Sequence, residues 1–343
     1  MTTLRSYSIL PIVLLLAISA GKGTATSRAE RNASRLNAPL SRNAMTTSLV
    51  SLRKPDGLVL SAANLYFTSH DATRACAWRT AQSSRPGQEI ALYCEPYARF
   101  GDIVYAQVDC TWWGYFFAMS GGVVTIKRIP LTGGPATVLT TTNSIDIENS
   151  HRNLVTEGVN LYWQDATSVR KMPIRGGAVT VLDTTSPSTP TAGLALQNGN
   201  VIYAHLSNIR YVPTSGSIIS PLFRRIAKTP SRVTALSAVT NGVLWGDQSG
   251  AIRLKVGSVT TTLQSSGNLV PTSVAINKTG AAEAWTQCGS SQPCRLHLRT
   301  GAHFPFPVLK FSMSIGAHAL GATMTSSRTV FWGDAAGVHR QVF

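Results

Sequence analysis

The 343-residue sequence predicts an all-β fold, a seven-bladed β-propeller of four-stranded antiparallel blades, and three observations carry that expectation. The first is composition. Charged residues make up 13%, about half the roughly 25% of an average globular protein, while 43% are hydrophobic. That balance excludes a disordered chain, which is poor in apolar residues and rich in charge. It also excludes a coiled coil, which needs Ala, Glu, Lys and Leu at helical spacing. The second observation is a repeat. Gly158-Val-Asn-Leu-Tyr-Trp-Gln-Asp165, Asn241-Gly-Val-Leu-Trp-Gly-Asp247 and Arg328-Thr-Val-Phe-Trp-Gly-Asp334 share an apolar run, an aromatic, one residue and an Asp. Looser copies end on Phe67, Phe117, Tyr203 and Trp285, so the aromatics step by 50, 46, 40, 42, 40 and 47 residues. Steps of about 40–50 residues are the period of propeller blades. The third is length: seven units of about 42 residues fill residues 46–343, and a ring adds blades without thickening any one layer.

In chain order, residues 1–20 read as a secretory signal. Arg5 precedes the apolar run Ile9–Ile18, and Ala17, Ser19 and Ala20 offer a cleavage zone. That run is half the roughly 20 apolar residues a transmembrane helix needs. Residues 21–45 are a polar, Arg- and Ser-rich leader without an apolar period. Residues 46–343 form the single propeller domain. The expected location is therefore outside the cytoplasm: secreted, periplasmic or on the cell surface.

Within the domain each unit holds four short strand-like runs. In the best copy they are Val233–Val239, Gly242–Trp245, Ala251–Val256 and Val259–Leu263, separated by turn residues. The third run recurs as Ile126–Pro130, Val169–Pro173 and Ile209–Pro213, and Gly133-Gly134 and Gly176-Gly177 follow two of these. The last unit ends after its third run. Thr46–Leu52 is apolar enough to supply the missing outer strand, which would close the ring with both chain ends and cover an edge. A six-bladed ring is the alternative.

Five cysteines agree with export. Cys288 and Cys294 flank a turn-forming Gly-Ser-Ser-Gln-Pro between two strand-like runs, so a disulfide fits the hairpin. Cys76, Cys94 and Cys110 allow one further pair and leave an odd thiol, with the pairing open.

The segment LYWQDATSVRKMPIRGGAVTVL resembles the YWTD-type propeller repeat, especially that of exported bacterial tandem-repeat proteins. The resemblance spans about residues 55–343 and is good in units three, five and seven. It implies a β-propeller binding scaffold with no shared catalytic residues. Receptor propellers of this type often have six blades and carry Cys-rich modules that are absent here, so receptor function does not transfer.

Asp165, Asp247 and Asp334, one per unit, are expected to fix hairpins or pair with cations rather than converge on a metal. Trp163, Trp245 and Trp332 are expected to pack between blades. The third run carries a cation at nearly equivalent positions: Lys127, Arg170, Arg210, Arg253, Arg295, and His339 in the last unit. These are the weak binding candidates, since a ring of cations would suit a polyanion, although local pairing is the expected role. Lys and Arg outnumber Asp and Glu 31 to 15, and 25 against 14 of them lie in residues 46–343. Such a field favours acidic partners, yet no dense Lys/Arg run marks a specific nucleic-acid site.

No G-x-S-x-G, HExxH or P-loop motif is present, and the seven His residues are scattered. The expected function is a non-enzymatic exported binding module, monomeric, without a cofactor, whose ligand is a protein or an acidic glycan. The competing reading is a propeller hydrolase, lactonase or lyase with a channel calcium built from isolated acids such as Asp146, Glu148, Glu157 and Glu283.

Overall fold

The structure, a computed structural model, describes residues 46–342 except 52–54, 62, 144, 146–152, 186–192, 217–223, 266, 278–281, 290–291, 301–308, 316–319 and 325–328. The expected signal and leader lie outside the described residues.

Among the described residues twenty-eight strands form seven four-stranded antiparallel sheets. β1 (Thr46–Ser51) comes first in the chain. Blade one is β2 (Pro55–Leu60), β3 (Asn64–His70), β4 (Arg74–Ala81) and β5 (Ile90–Pro96). Blade two is β6 (Arg99–Val108), β7 (Thr111–Ser120), β8 (Val123–Pro130) and β9 (Thr137–Thr142). Blade three is β10 (Leu154–Thr156), β11 (Asn160–Gln164), β12 (Ser168–Pro173) and β13 (Thr180–Thr184). Blade four is β14 (Leu194–Gln197), β15 (Asn200–His205), β16 (Asn208–Pro213) and β17 (Arg225–Lys228). Blade five is β18 (Val233–Val239), β19 (Gly242–Asp247), β20 (Ala251–Val256) and β21 (Val259–Ser265). Blade six is β22 (Val270–Ile276), β23 (Ala282–Cys288), β24 (Arg295–Thr300) and β25 (Leu309–Ser314). Blade seven takes β26 (Leu320–Met324), β27 (Thr329–Asp334) and β28 (Gly337–Val342) from the C-terminus and β1 from the N-terminus.

The ring is seven-bladed, not six-bladed, and it closes as expected. β1 runs antiparallel to β28, from Thr46 opposite Gln341 to Ser51 opposite Gly337. Inner strands touch in succession, β2 to β6, β10, β14, β18, β22, β26 and back to β2. The core is correspondingly divided: among the described residues seven apolar clusters each join two adjacent blades. Second strands are covered on both sides, and β19 is buried along its whole length. A strand with no solvent face reads as a continuous apolar run, which is why LYW, VLW and VFW form the visible repeat. The seams are tight. A Cβ on Gly246 would fall 2.3 Å from Pro271 of the next blade, and one on Gly57 would fall 2.7 Å from the Asp102 backbone. The Gly133-Gly134 turn has φ of +94° and +137°, a region that side chains avoid.

Candidate functional site

The repeated Asp sits at the turn between second and third strands. Asp165 is buried, and its Oδ1 accepts the backbone N–H groups of Thr167 and Ser168, both at 2.9 Å, and both of their hydroxyls at 3.0 Å. Its Oδ2 lies 2.7 Å from Arg170 Nε. Asp247 accepts the Ser249 N–H at 3.0 Å and the Ser249 hydroxyl, and pairs with Arg253 Nη1. Asp334 accepts the Ala336 N–H at 2.8 Å and lies 2.9 Å from His339 Nε2. One carboxylate thus holds a turn and faces the cation diagonally across the hairpin.

The other blades place different chemistry at the same two positions. In blade two Lys127 lies opposite Phe116, one residue before the repeat aromatic Phe117, and its Nζ is 2.5 Å from Glu95 on β5 of blade one. In blade four Arg210 lies opposite Tyr203, whose hydroxyl donates to Asp183 on β13 of blade three, with Arg224 Nη1 at 3.3 Å from the same carboxylate. Blade one has Trp78, whose Nε1–H donates to Ser69 Oγ at 2.9 Å. Blade six corrects the sequence reading. Arg295 lies opposite Gln287, and the residue opposite Trp285 is His297, stacked on that ring at 5.4 Å. The disulfide-bridged insert lengthens this hairpin, and register follows the turn rather than the local pattern. Lys127, Arg170, Arg253 and His339 thus each face a carboxylate of this chain.

Trp163, Trp245 and Trp332 are 0–1% exposed and fill seams with the preceding blade. The Trp163 Nε1–H donates to Thr142 Oγ1 of blade two at 2.9 Å.

A second set of cations was missed. Arg79 donates to Leu131 O at 3.3 Å, Lys171 to Thr214 O at 2.9 Å, and Arg340 to Gln82 O at 2.7 Å. Each acceptor is the residue after the third strand of the next blade, and the Arg340 bond spans the seam between blades seven and one. The signal was legible: Lys127-Arg128, Arg170-Lys171 and His339-Arg340 are adjacent cations, and neighbours on a strand point to opposite faces. Cations that donate to carbonyls need no acid, which accounts for part of the basic excess.

Two disulfides are present, Cys76–Cys94 across β4 and β5 and Cys288–Cys294, while Cys110 is a free, exposed thiol.

Blade six also buries two titratable groups in opposite senses. Glu283 is 2% exposed, and burial pushes its carboxyl up from 4.5 to about 7 against the pull of Arg299. Burial, with Arg295 adding to it, pushes His297 down from 6.5 to about 4. A raised acid binds its proton more tightly when folded, so Glu283 favours the fold at low pH and that contribution is lost as pH rises from 4.5 through 7. His297 acts oppositely and loses stability as pH falls from 6.5 toward 4, so the two slopes oppose each other across the shared range. Glu283→Gln removes one of them. Relative to wild type, this variant should gain about 2–3 kcal/mol between pH 5 and pH 8, measured by urea unfolding at both values. An equal difference at the two pH values would refute the assignment.

Among the described residues an open cleft of about 560 Å³ lies where the inner strands β2, β6 and β10 end. Val59, Leu60, Val104, Ala106 and Val155 supply an aliphatic wall, and Tyr105 and Trp112 supply rings. The two ring centroids are 5.6 Å apart at 57°, and Tyr66 lies 6.1 Å behind Tyr105. Trp112 is 48% exposed. Among the described lining residues Glu157 is the one that carries a charge, beside Gln107 and Thr156. Its Oε1 accepts the Tyr162 hydroxyl at 2.6 Å and Asn160 Nδ2 at 2.8 Å. Burial and this carboxylate together raise the Tyr162 pKa, and burial raises that of Tyr105. Sequence reasoning weighed Glu157 as a channel ligand and missed the cleft. Glu283 lies in blade six, and Asp146 and Glu148 lie outside the described residues. Among the described residues no three His, Cys, Asp or Glu side chains converge as a metal site would require, and no helix is long and apolar enough to cross a membrane.

No protein-family model and no curated protein matches the sequence. Solved structures share the fold. A chain of the mitotic checkpoint complex superimposes with a TM-score of 0.62 at 13% identity, over 97% of this chain and 99% of that one. The WD40 β-propeller domain of Doa1 gives 0.61 at 10% identity, over 88% and 97%. PorZ, a surface component of the type-IX secretion system of Porphyromonas gingivalis, gives 0.57 at 13% identity, over 85% of this chain. The chain spans 37% of the PorZ chain.

Proposed function

We propose that the protein is an exported, non-enzymatic interaction module, built from variants of the YWTD-type repeat, that binds a protein partner through the cleft on blades one to three. The observation that carries this reading is the half-exposed Trp112 beside Tyr105 on an aliphatic wall. Exposed aromatics bordering an apolar recess are typical anchors of protein interfaces. An acidic glycan is less well suited: the third-strand cations Lys127, Arg170 and Arg253 face carboxylates of this chain, and the charge in the cleft is negative. Two disulfides support export, because such bonds persist in oxidising compartments.

Photo-crosslinking tests the reading. With benzoylphenylalanine replacing Trp112 in producing cells, we expect a discrete protein adduct. The same replacement at Tyr97, 84% exposed at the opposite end of the inner strands, should give none. Adducts from position 97 alone, or from neither position, would overturn the proposal.

A further inference from the structure

We infer that the cleft takes a Lys- or Arg-bearing segment of a partner polypeptide, with the cation over the Trp112 and Tyr105 rings and paired with Glu157. The inference rests on the cleft being the binding site, as proposed above, and adds what chemistry enters it.

Charge complementarity is the first argument. Glu95, Asp109, Asp165, Asp183 and Asp247 each face a Lys or Arg of this chain. Among the described residues Glu157 faces none, although the chain carries a net charge of +16. Its bonds come from the neutral Tyr162 and Asn160, and both fall on Oε1. The carboxylate is thereby oriented, and Oε2 is left for a guest. A held acceptor loses little freedom on binding, which favours affinity.

The rings are the second argument. A cation above an aromatic face is attracted by the ring quadrupole, most strongly by Trp. This chain already shows the arrangement nearby: the Arg128 guanidinium lies 4.7 Å from the Trp113 ring centroid. Trp113 is thus occupied, while its neighbour Trp112 is half exposed.

The wall is the third argument and separates a peptide from a sugar. Val59, Leu60, Val104, Ala106 and Val155 offer nothing to hydroxyl groups, whereas the aliphatic stem of Lys or Arg and its apolar neighbours in a peptide match them. A sugar would have the Tyr105 hydroxyl, the Trp112 N–H and the Gln107, Thr156 and Glu157 side chains for its hydroxyls, and the aliphatic wall would remain unmatched.

A displayed random heptapeptide library, panned on the folded wild-type protein, supplies the probe. The selected peptides should share a Lys or Arg flanked by aliphatic residues. A synthetic Arg peptide from this set should lose roughly 10-fold in affinity on Glu157→Gln, and more than that when its Arg is replaced by neutral citrulline, which also gives up the attraction to the rings. The two losses should not add, because they remove the same pair. Trp112→Ala should weaken both peptides. Selected peptides without a basic residue would overturn the inference, as would a full citrulline loss that persists on Glu157→Gln. If Trp112→Ala abolishes binding and Glu157→Gln leaves it unchanged, the cation pairing falls and the cleft reading stands. Peptide binding indifferent to both variants overturns both. Failure to select any peptide, with neutral oligosaccharides bound in a Trp112-dependent way, overturns both in favour of a sugar.

Discussion

Asp247→Ala is expected to destabilise the protein by about 3–5 kcal/mol, because it strands a largely buried guanidinium. Asp247 is 0% exposed and Arg253 17%, so the carboxylate has no water as an alternative and the guanidinium little. The same carboxylate accepts the N–H and hydroxyl of Ser249, and the turn loses that support as well. Arg253→Met in the Asp247→Ala background should recover part of the loss, since it removes the orphaned charge while keeping the stem. Asp109→Ala provides the contrast. Its Arg175 partner lies within 2.5 Å, but the two side chains are 68% and 65% exposed, and the expected cost is no more than about 1 kcal/mol. Urea midpoints at constant m measure all four proteins. If Asp247→Ala and Asp109→Ala shift the midpoint equally, burial is not what gives the repeated pair its weight.

Removing β1 is expected to abolish cooperative unfolding altogether. Leu49 and Val50 are 0% exposed and pack with Leu65, Phe67, Trp78, Phe331 and Val338 across the seam of blades seven and one. Without the strand that cluster opens to water, and β28 becomes an unpaired edge able to pair with other chains. A truncated protein could fail for unrelated reasons, so Leu49→Ala tests the same contact more gently. It should cost about 2–5 kcal/mol, the range of buried Leu truncations, and should speed amide exchange in β28 and β2 before other blades. Uniform exchange across the ring would show that closure is not the weak point.

Blade count, strand limits and closure were legible because they rest on short-range chemistry. The four runs read from blade five, beginning at Val233, Gly242, Ala251 and Val259, are β18 to β21, with two of them extended by two residues at their ends. Turn residues and apolar runs act within a few positions, so one copy of the repeat is enough to see them. Even the closing strand was visible, since a last unit short of one strand and an apolar N-terminal run imply each other. Register in blade six was not legible. Arg295 and His297 are alternate residues on one face of β24, and backbone pairing alone decides which of them lies opposite Trp285.

What the sequence by itself determined was therefore the β-propeller, its seven units and the Asp and Trp of the repeat, all set by local periodicity and turn chemistry. The tertiary structure decided who meets whom between blades. Glu95 reaches Lys127 and Asp183 reaches the Tyr203 hydroxyl from the outer strand of the preceding blade, and Arg340 reaches the carbonyl of Gln82 from the far end of the chain. The cleft belongs to the same class, since Leu60, Tyr105, Trp112 and Glu157 share no motif and meet only where three blades place their inner-strand ends together. Residues repeat along a chain by local rules, but a binding surface forms across seams, where ring closure rather than spacing sets the neighbours.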